Sequence, residues 1–222
     1  MFRGPWRAPW RGVWQRLLPY AKVGVWQAFC VRLGVLGIRS TALLVAVPVL
    51  ALAGCGASQP KSAAPSKTSV AVAFNGSPPA LASLHSQASR LIAGGPSAFH
   101  ARLIGLRGYP VVVNKWASWC GPCQLEFPDF QKAAVKYGRE VAFVGIDGKD
   151  SDDSAKSFLK RFPVSYPSYV DPQEDISRTI QAATYYPQTI YFDKHGKELF
   201  DHAGQYPSAA ALERDIRRYA LG

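Results

Sequence analysis

With only four cysteines and one methionine in 222 residues, the chain is no small disulfide-stapled scaffold. It is long enough for one ordinary domain with extra segments. Charged residues make up 18% and hydrophobic ones 48%, a balance that excludes a disordered or collagen-like chain. No uncharged apolar run reaches the roughly 20 residues that a membrane-spanning helix needs. Acidic residues are missing altogether from residues 1–54, where seven basic side chains stand (Arg3, Arg7, Arg11, Arg16, Lys22, Arg32 and Arg39). That leader supplies most of the net charge of +11, leaving 19 basic against 15 acidic residues in 55–222. The remaining excess is not gathered into a basic stripe interleaved with aromatics, so no nucleic-acid partner is expected.

What the leader does contain is ordered by chemistry. Thr41 to Gly54 is a run of 14 uncharged, mostly apolar residues, preceded by Arg32 and Arg39 and followed at once by Cys55. Basic flank, short apolar run and small residues in that order read as an export signal. The ending Leu52-Ala53-Gly54-Cys55 resembles a bacterial lipoprotein signal. The resemblance implies that Cys55 becomes the new N-terminus and carries lipid, holding the protein at the extracytoplasmic face of the cell membrane. Trp6, Trp10 and Trp14 recur every fourth residue, as do Arg3, Arg7 and Arg11, which on a helix would make an amphipathic face. An over-long gene model, with the true start at Val31 or Val35, is the simpler account of residues 1–30. Cys30 precedes the cleavage point either way. Residues 1–54 are therefore read as leader and signal. Residues 55–80, rich in Ser, Ala and Pro, are read as a flexible tether, and 81–222 as the folded domain.

In that domain Leu81, Leu84, Ala88, Leu91 and Ile92 share a helical period ended by Gly94-Gly95, and a second helix is expected around Ser97 to Leu106. Tyr109 to Trp116 is β-branched and nearly continuously apolar, as in a strand buried on both faces. Further strands are expected over Val141 to Ile146 and Tyr166 to Val170, with a helix over Ser154 to Phe162 between them. A hairpin turn is expected over Phe192 to Lys197, which makes His195 a turn residue, and the closing helix should bury Leu212, Ile216 and Tyr219. Strands alternating with helices, then a hairpin and a helix, give an α/β fold: a mixed central sheet with helices on both faces.

The strongest chemical signal is Trp119-Cys120-Gly121-Pro122-Cys123, a Cys-x-x-Cys at the junction of a buried strand and an amphipathic helix. Two thiols at this spacing can close a small disulfide. At a helix N-terminus, unpaired N–H groups and the positive end of the dipole favour thiolate over thiol. Cys120 is thus the candidate nucleophile, exposed, and Cys123, one turn in, the shielded resolving thiol. Half of a zinc site is the rival reading. The segment after Cys55 holds no second pair, and His85, His100, His195 and His202 lack ligand spacing, so no metal is expected.

The stretch WASWCGPCQLEFP resembles the active-site segment of thioredoxin-fold proteins, and in particular the membrane-anchored TlpA/ResA-like thiol-disulfide oxidoreductases. The resemblance covers roughly residues 97–221 and implies a thioredoxin-like fold, thiol-disulfide exchange and no cofactor. Asn114 stands six residues before Cys120, where cytosolic thioredoxins carry a buried aspartate. Glu126 shares a helix face with Cys123, Phe127, Phe130, Ala134 and Tyr137, so burial should raise its pKa and suit it to proton transfer with a thiol. It also matches the acidic residue of the family pattern Cys-x-x-Cys-x-x-Glu-Phe-Pro. Tyr186-Pro187, before the strand Gln188 to Phe192, matches the family's cis-proline loop. That match implies substrate contacts from Tyr186 and Pro187, beside Trp119, Gly121 and Pro122. Tyr186 departs from the small or aliphatic residue usual there.

The implied partners are exported protein thiols or disulfides, such as those met in cytochrome c maturation, with a membrane electron carrier to recharge the pair and a monomer as the working unit. A disulfide-forming oxidant of the same fold is the nearest alternative. A thiol peroxidase would need a Pro-x-x-x-Thr/Ser-x-x-Cys pocket, but Val113 stands at the proline position and Ser118 is two residues, not three, before Cys120. A copper-binding lipoprotein could use the same cysteines as ligands.

Overall fold

The computed structural model describes residues 65–222. The leader 1–54, Cys30, the anchor residue Cys55 and the first ten residues of the expected tether therefore lie outside the described residues.

Near the start of the described chain the Ser66 hydroxyl accepts the Ser69 N–H and caps helix α1 (Lys67–Phe74). Helix α2 (Pro79–His85) follows and buries Leu81 and Leu84. The part of the expected tether from residue 67 is thus helical rather than coil. No residue of α1 is buried, consistent with its lack of apolar period, yet Phe74 stacks on His85 at 3.6 Å. The single helix expected through Ile92 instead stops at His85. Ser89 takes a left-handed conformation (φ 54°), its N–H donates to the Tyr166 carbonyl, and its hydroxyl donates to the Val164 carbonyl. Those tertiary bonds override the helical period and turn Leu91–Ile92 into strand β1.

Next come α3 (Gly95–Gly105), β2 (Val111–Trp116) and α4 (Gly121–Tyr137). After these the chain forms β3 (Ala142–Gly148), α5 (Asp152–Arg161) and β4 (Ser168–Asp171). Ser151 caps α5, acids Asp152 and Asp153 open it and bases Lys160 and Arg161 close it, so local charge agrees with the helix dipole at both ends. A short helix α6 (Asp175–Thr179) precedes β5 (Gln188–Phe192), β6 (Glu198–Ala203) and α7 (Ala209–Asp215), which runs on into a π-helical turn over Ile216–Ala220.

The six strands lie in the order β1-β4-β3-β2-β5-β6. β2 is parallel to β3 and antiparallel to β5, and all six of its residues are buried. One face of the sheet packs Val112, Trp116 and Tyr191 against Phe127 and Phe130 of α4. The other face packs Val111, Val113 and Ile190 with Phe99 of α3 and Ile176 of α6. This is the mixed sheet covered on both faces that the pattern implied. Its consequence for the site is positional: the carboxyl end of the central strand feeds directly into the cysteine motif.

Beneath that motif Trp116, Phe127 and Phe158 form an aromatic triangle, with centroids 5.2, 4.7 and 4.7 Å apart. All three are essentially inaccessible to solvent. Phe158→Ala should destabilise the protein by about 3–5 kcal/mol in urea unfolding, and Phe158→Leu, which refills most of the space, by clearly less. Equal losses for the two variants would show that packing volume at this position is not what matters.

Candidate active site

Strand β2 ends at Trp116, and residues Ala117 to Trp119 carry the chain over the sheet edge to Cys120, the N-cap of α4. Cys120 has extended backbone geometry, and its Sγ accepts the Cys123 N–H at 3.1 Å. Cys120 and Cys123 are joined by a disulfide, with Cα atoms 5.3 Å apart. Cys120 was expected to be exposed. In this oxidised form it is only 3% accessible, because the disulfide folds its sulfur back over the helix end, while Gly121, Pro122 and Trp119 around it are exposed. Cys123 is fully buried.

Glu126 lies one turn further into α4 and is 2% accessible. Its Oε2 accepts the Tyr206 N–H at 3.2 Å, whereas Oε1 has no partner. Burial pushes the carboxyl up to about 8, the Tyr206 N–H partly opposes this, and nearby Asp129 adds to it. Asn114, in β2, donates from Nδ2 to the Tyr166 hydroxyl at 3.2 Å and leaves its Oδ1 unpaired.

The Tyr186-Pro187 peptide is cis. Trp119 bridges the cysteine motif to this loop: its ring lies 4.8 Å from that of Tyr186, and its Nε1 donates to the Lys149 carbonyl at 2.9 Å. The unusual Tyr186 has a lodging built for it. Its hydroxyl donates to Glu174 at 2.8 Å, Lys115 Nζ stands 3.8 Å from its ring centre, and Gly148 lacks the Cβ that would collide with that hydroxyl.

Lys115 and Glu174 were not singled out from the sequence. Lys115 is fully buried, 2.9 Å from Glu174, and donates to the Ala182 carbonyl at 2.6 Å. Lys149 approaches the same carboxylate at 2.7 Å. Burial alone would raise the Glu174 carboxyl, but hydrogen bonds from Lys149, Lys115 and Tyr186 outweigh it and hold the group at about 2. A lysine inside the apolar run of β2 was the available signal, since a buried ammonium must find an acid.

Asp147 was also missed. It sits at the end of β3, 2% accessible, and burial followed by repulsion from Asp150 pushes it up to about 8. Asp150 in turn accepts the Ser118 N–H at 2.5 Å, tying the β3–α5 loop to the residues that lead into Cys120. His195 lies in the β5–β6 turn, with its N–H donating to Asp193. Among the described residues no group of three or more His, Cys, Asp or Glu side chains is placed to hold a metal ion.

A mixed sheet whose central strand delivers a bonded Cys-x-x-Cys to a helix N-terminus beside a cis-proline loop defines a thioredoxin-like domain. The family model described as Redoxin matches residues 62–216, and the chain belongs to that family. It is similar to the thiol-disulfide oxidoreductase ResA of Bacillus thuringiensis subsp. konkukian, 28% identical over 100 residues that cover 45% of this chain and 57% of that protein. The corresponding protein of Geobacillus kaustophilus is 26% identical over 119 residues, covering 53% and 65%. The chain thus spans little more than half the length of the curated relatives it matches. Among solved structures, a putative thiol:disulfide interchange protein DsbE from Chlorobium tepidum is 30% identical over 54% of this chain and 85% of that one, with a TM-score of 0.48.

Two outcomes follow from the charges. Glu174→Ala strands the buried Lys115 charge and should destabilise by about 3–5 kcal/mol, whereas Lys115→Met leaves Glu174 with Lys149 and Tyr186 and should cost less; urea unfolding of the pair decides. The carboxyls of Glu126 and Asp147 rise from 4.5 and 3.8 to about 8 on folding, so the native state keeps protons that the unfolded chain releases. Their contribution to stability is present at low pH and lost as pH rises through about 8; Glu126→Gln should flatten that fall. An unchanged slope in Glu126→Gln would contradict the assignment.

Proposed function

We propose that the protein is an extracytoplasmic thiol-disulfide oxidoreductase, lipid-anchored through Cys55, that reduces particular disulfides of exported proteins. The observation that carries this reading is the Cys120–Cys123 disulfide at the mouth of α4 with the buried carboxyl of Glu126 one turn below. Membership of the Redoxin family and similarity to ResA proteins support it. Export and anchoring rest on the basic leader, the apolar run Thr41 to Gly54 and the cysteine after it.

In the reduced protein Cys120 is the attacking thiolate, favoured by the N–H groups and dipole of a 17-residue helix. It displaces one sulfur of the substrate disulfide and forms a mixed disulfide. Cys123 then attacks Cys120 Sγ, the protein disulfide closes, and the second substrate sulfur leaves as thiolate. Two electrons pass from the pair to the substrate. Cys123 must shed its proton to attack, and a fully buried thiol has no water beside it, so Glu126 takes the proton in its carboxylate form and becomes the neutral acid. Trp119, Gly121 and Pro122 form the exposed rim, and Tyr186 and Pro187 the facing wall, where a substrate segment would lie. A membrane electron carrier returns the pair to its dithiol form, and no cofactor is needed. Reduction of apocytochrome c cysteines during cytochrome c maturation is a substrate of the right chemistry.

Cys120→Ala should abolish insulin-disulfide reduction, and Cys123→Ala should accumulate mixed disulfides with native partners, identifiable by mass spectrometry. Glu126→Gln should slow exchange near neutral pH by about 10²-fold or more while leaving the far-ultraviolet dichroism unchanged. A Glu126→Gln rate equal to that of the parent across pH would remove this residue from the mechanism.

A further inference from the structure

Glu126 is 2% accessible, so a proton that it accepts from Cys123 cannot pass directly to bulk water. The sheet beneath it supplies a route. Asn114 pairs with Thr189 across β2 and β5, and Thr189 pairs with His202 across β5 and β6. Alternation along each strand puts these three side chains on the face that carries Val112, Trp116 and Tyr191, the face covered by α4. They form one polar row through an otherwise apolar layer.

Glu126 is tied to the same row. Its Oε2 accepts the N–H of Tyr206, whose ring lies flat on the His202 imidazole at 3.8 Å and 10°. Four atoms of this group are buried without a partner: Asn114 Oδ1, Glu126 Oε1, Thr189 Oγ1 and His202 Nε2. Asn114 and Thr189 are 1% and 0% accessible. One such orphan costs about 1–3 kcal/mol, and four on one face call for a shared partner. Water fits the set, since a buried water typically makes about three hydrogen bonds to groups of this kind. His202 differs from the others in being half-buried, on β6, the outer strand of the sheet order.

We propose that Asn114, Thr189 and His202 hold internal water under α4 that carries protons between Glu126 and solvent, with His202 as the outlet. The proposal rests on the reading of Glu126 as the proton acceptor of Cys123. The Cys123 thiol gives its proton to Oε1 of the Glu126 carboxylate, and the carboxylic acid so formed passes one to the water. The water passes one to His202 Nε2, and the imidazolium releases one to solvent from Nδ1. No electrons move in this relay, and it runs backwards when the pair is recharged. Imidazole suits the outlet because one ring nitrogen can accept a proton while the other releases one.

The other titratable groups around the row are engaged otherwise. Tyr166, Tyr191 and Tyr206 are held neutral because burial raises their phenols. Asp215 of α7 accepts from the Tyr206 hydroxyl, Asp201 of β6 from Gln188, and Asp129 of α4 bears on Glu126 only by repulsion.

The test is the rate of insulin-disulfide reduction by the purified protein in weak buffer near neutral pH, with folding followed by circular dichroism. His202→Phe keeps the ring stacked on Tyr206, and Thr189→Val keeps the shape while removing the hydroxyl. Each should slow exchange by roughly threefold to tenfold. Added imidazole should restore most of the rate of His202→Ala, and His202→Phe should add nothing to the defect of Glu126→Gln. Parent-like rates for both His202→Phe and Thr189→Val, with Glu126→Gln still slow, would overturn the route and leave the role of Glu126 standing. A parent-like rate for Glu126→Gln would remove the acceptor itself, and the route with it.

Discussion

The chemistry proposed for this domain depends on one carboxyl group kept out of water. Glu126 is carried under the sheet's aromatic face by the same helix that holds the cysteine pair, with a single backbone N–H to compensate it. Desolvation outweighs that one bond, so the carboxyl exchanges its proton near neutral pH, where a surface glutamate is already fully ionised. A group so placed suits the proton transfer with a thiol that the proposed mechanism asks of it. The fold supplies this by packing: Phe127 and Phe130 on the same helix are buried in the core beside it, and the helix cannot rotate to release Glu126 without exposing them.

Charge at the opposite side of the motif is managed in the contrary way. Glu174 is buried as deeply as many core residues, but it is surrounded by two ammonium groups and a phenol, and so it stays ionised. It secures Tyr186 from below while Trp119 covers it from the cysteine side. Two buried acids of one domain thus have their pKa values moved in opposite directions, decided by whether a cation is within reach. Asp147 belongs with Glu126, since its nearest charged neighbour is another aspartate. The loop entering Cys120 is held by Asp150 and the loop carrying Pro187 by Glu174, so both walls of the site hang on carboxylates.

Much of this was legible in the sequence because it follows from local pattern. The apolar run before Trp119, the cysteine spacing and the apolar face shared by Cys123, Glu126 and Phe130 gave the central strand, the helix and the burial of the glutamate. The strand 91–92 was hidden because Leu91 and Ile92 continue a helical period, and only hydrogen bonds from Ser89 to the distant segment 164–166 break it. The helix over residues 67–74 was hidden in a composition typical of linkers. The row Asn114, Thr189 and His202 lies on three strands, so no spacing along the chain could reveal it. The lodging of Tyr186 was hidden for the same reason: its partners come from β2, the end of β3 and the N-cap of α6.

The account stands on the protonation state of Glu126 in the folded, oxidised protein. The direct measurement is a carbon-13 NMR titration of its side-chain carboxyl, assigned by comparison with Glu126→Gln. A midpoint near 8 is the predicted result. A midpoint near the ordinary value of 4.5 would mean that water reaches the group, and neither the proton transfer from Cys123 nor the route through His202 would then have a reason to exist.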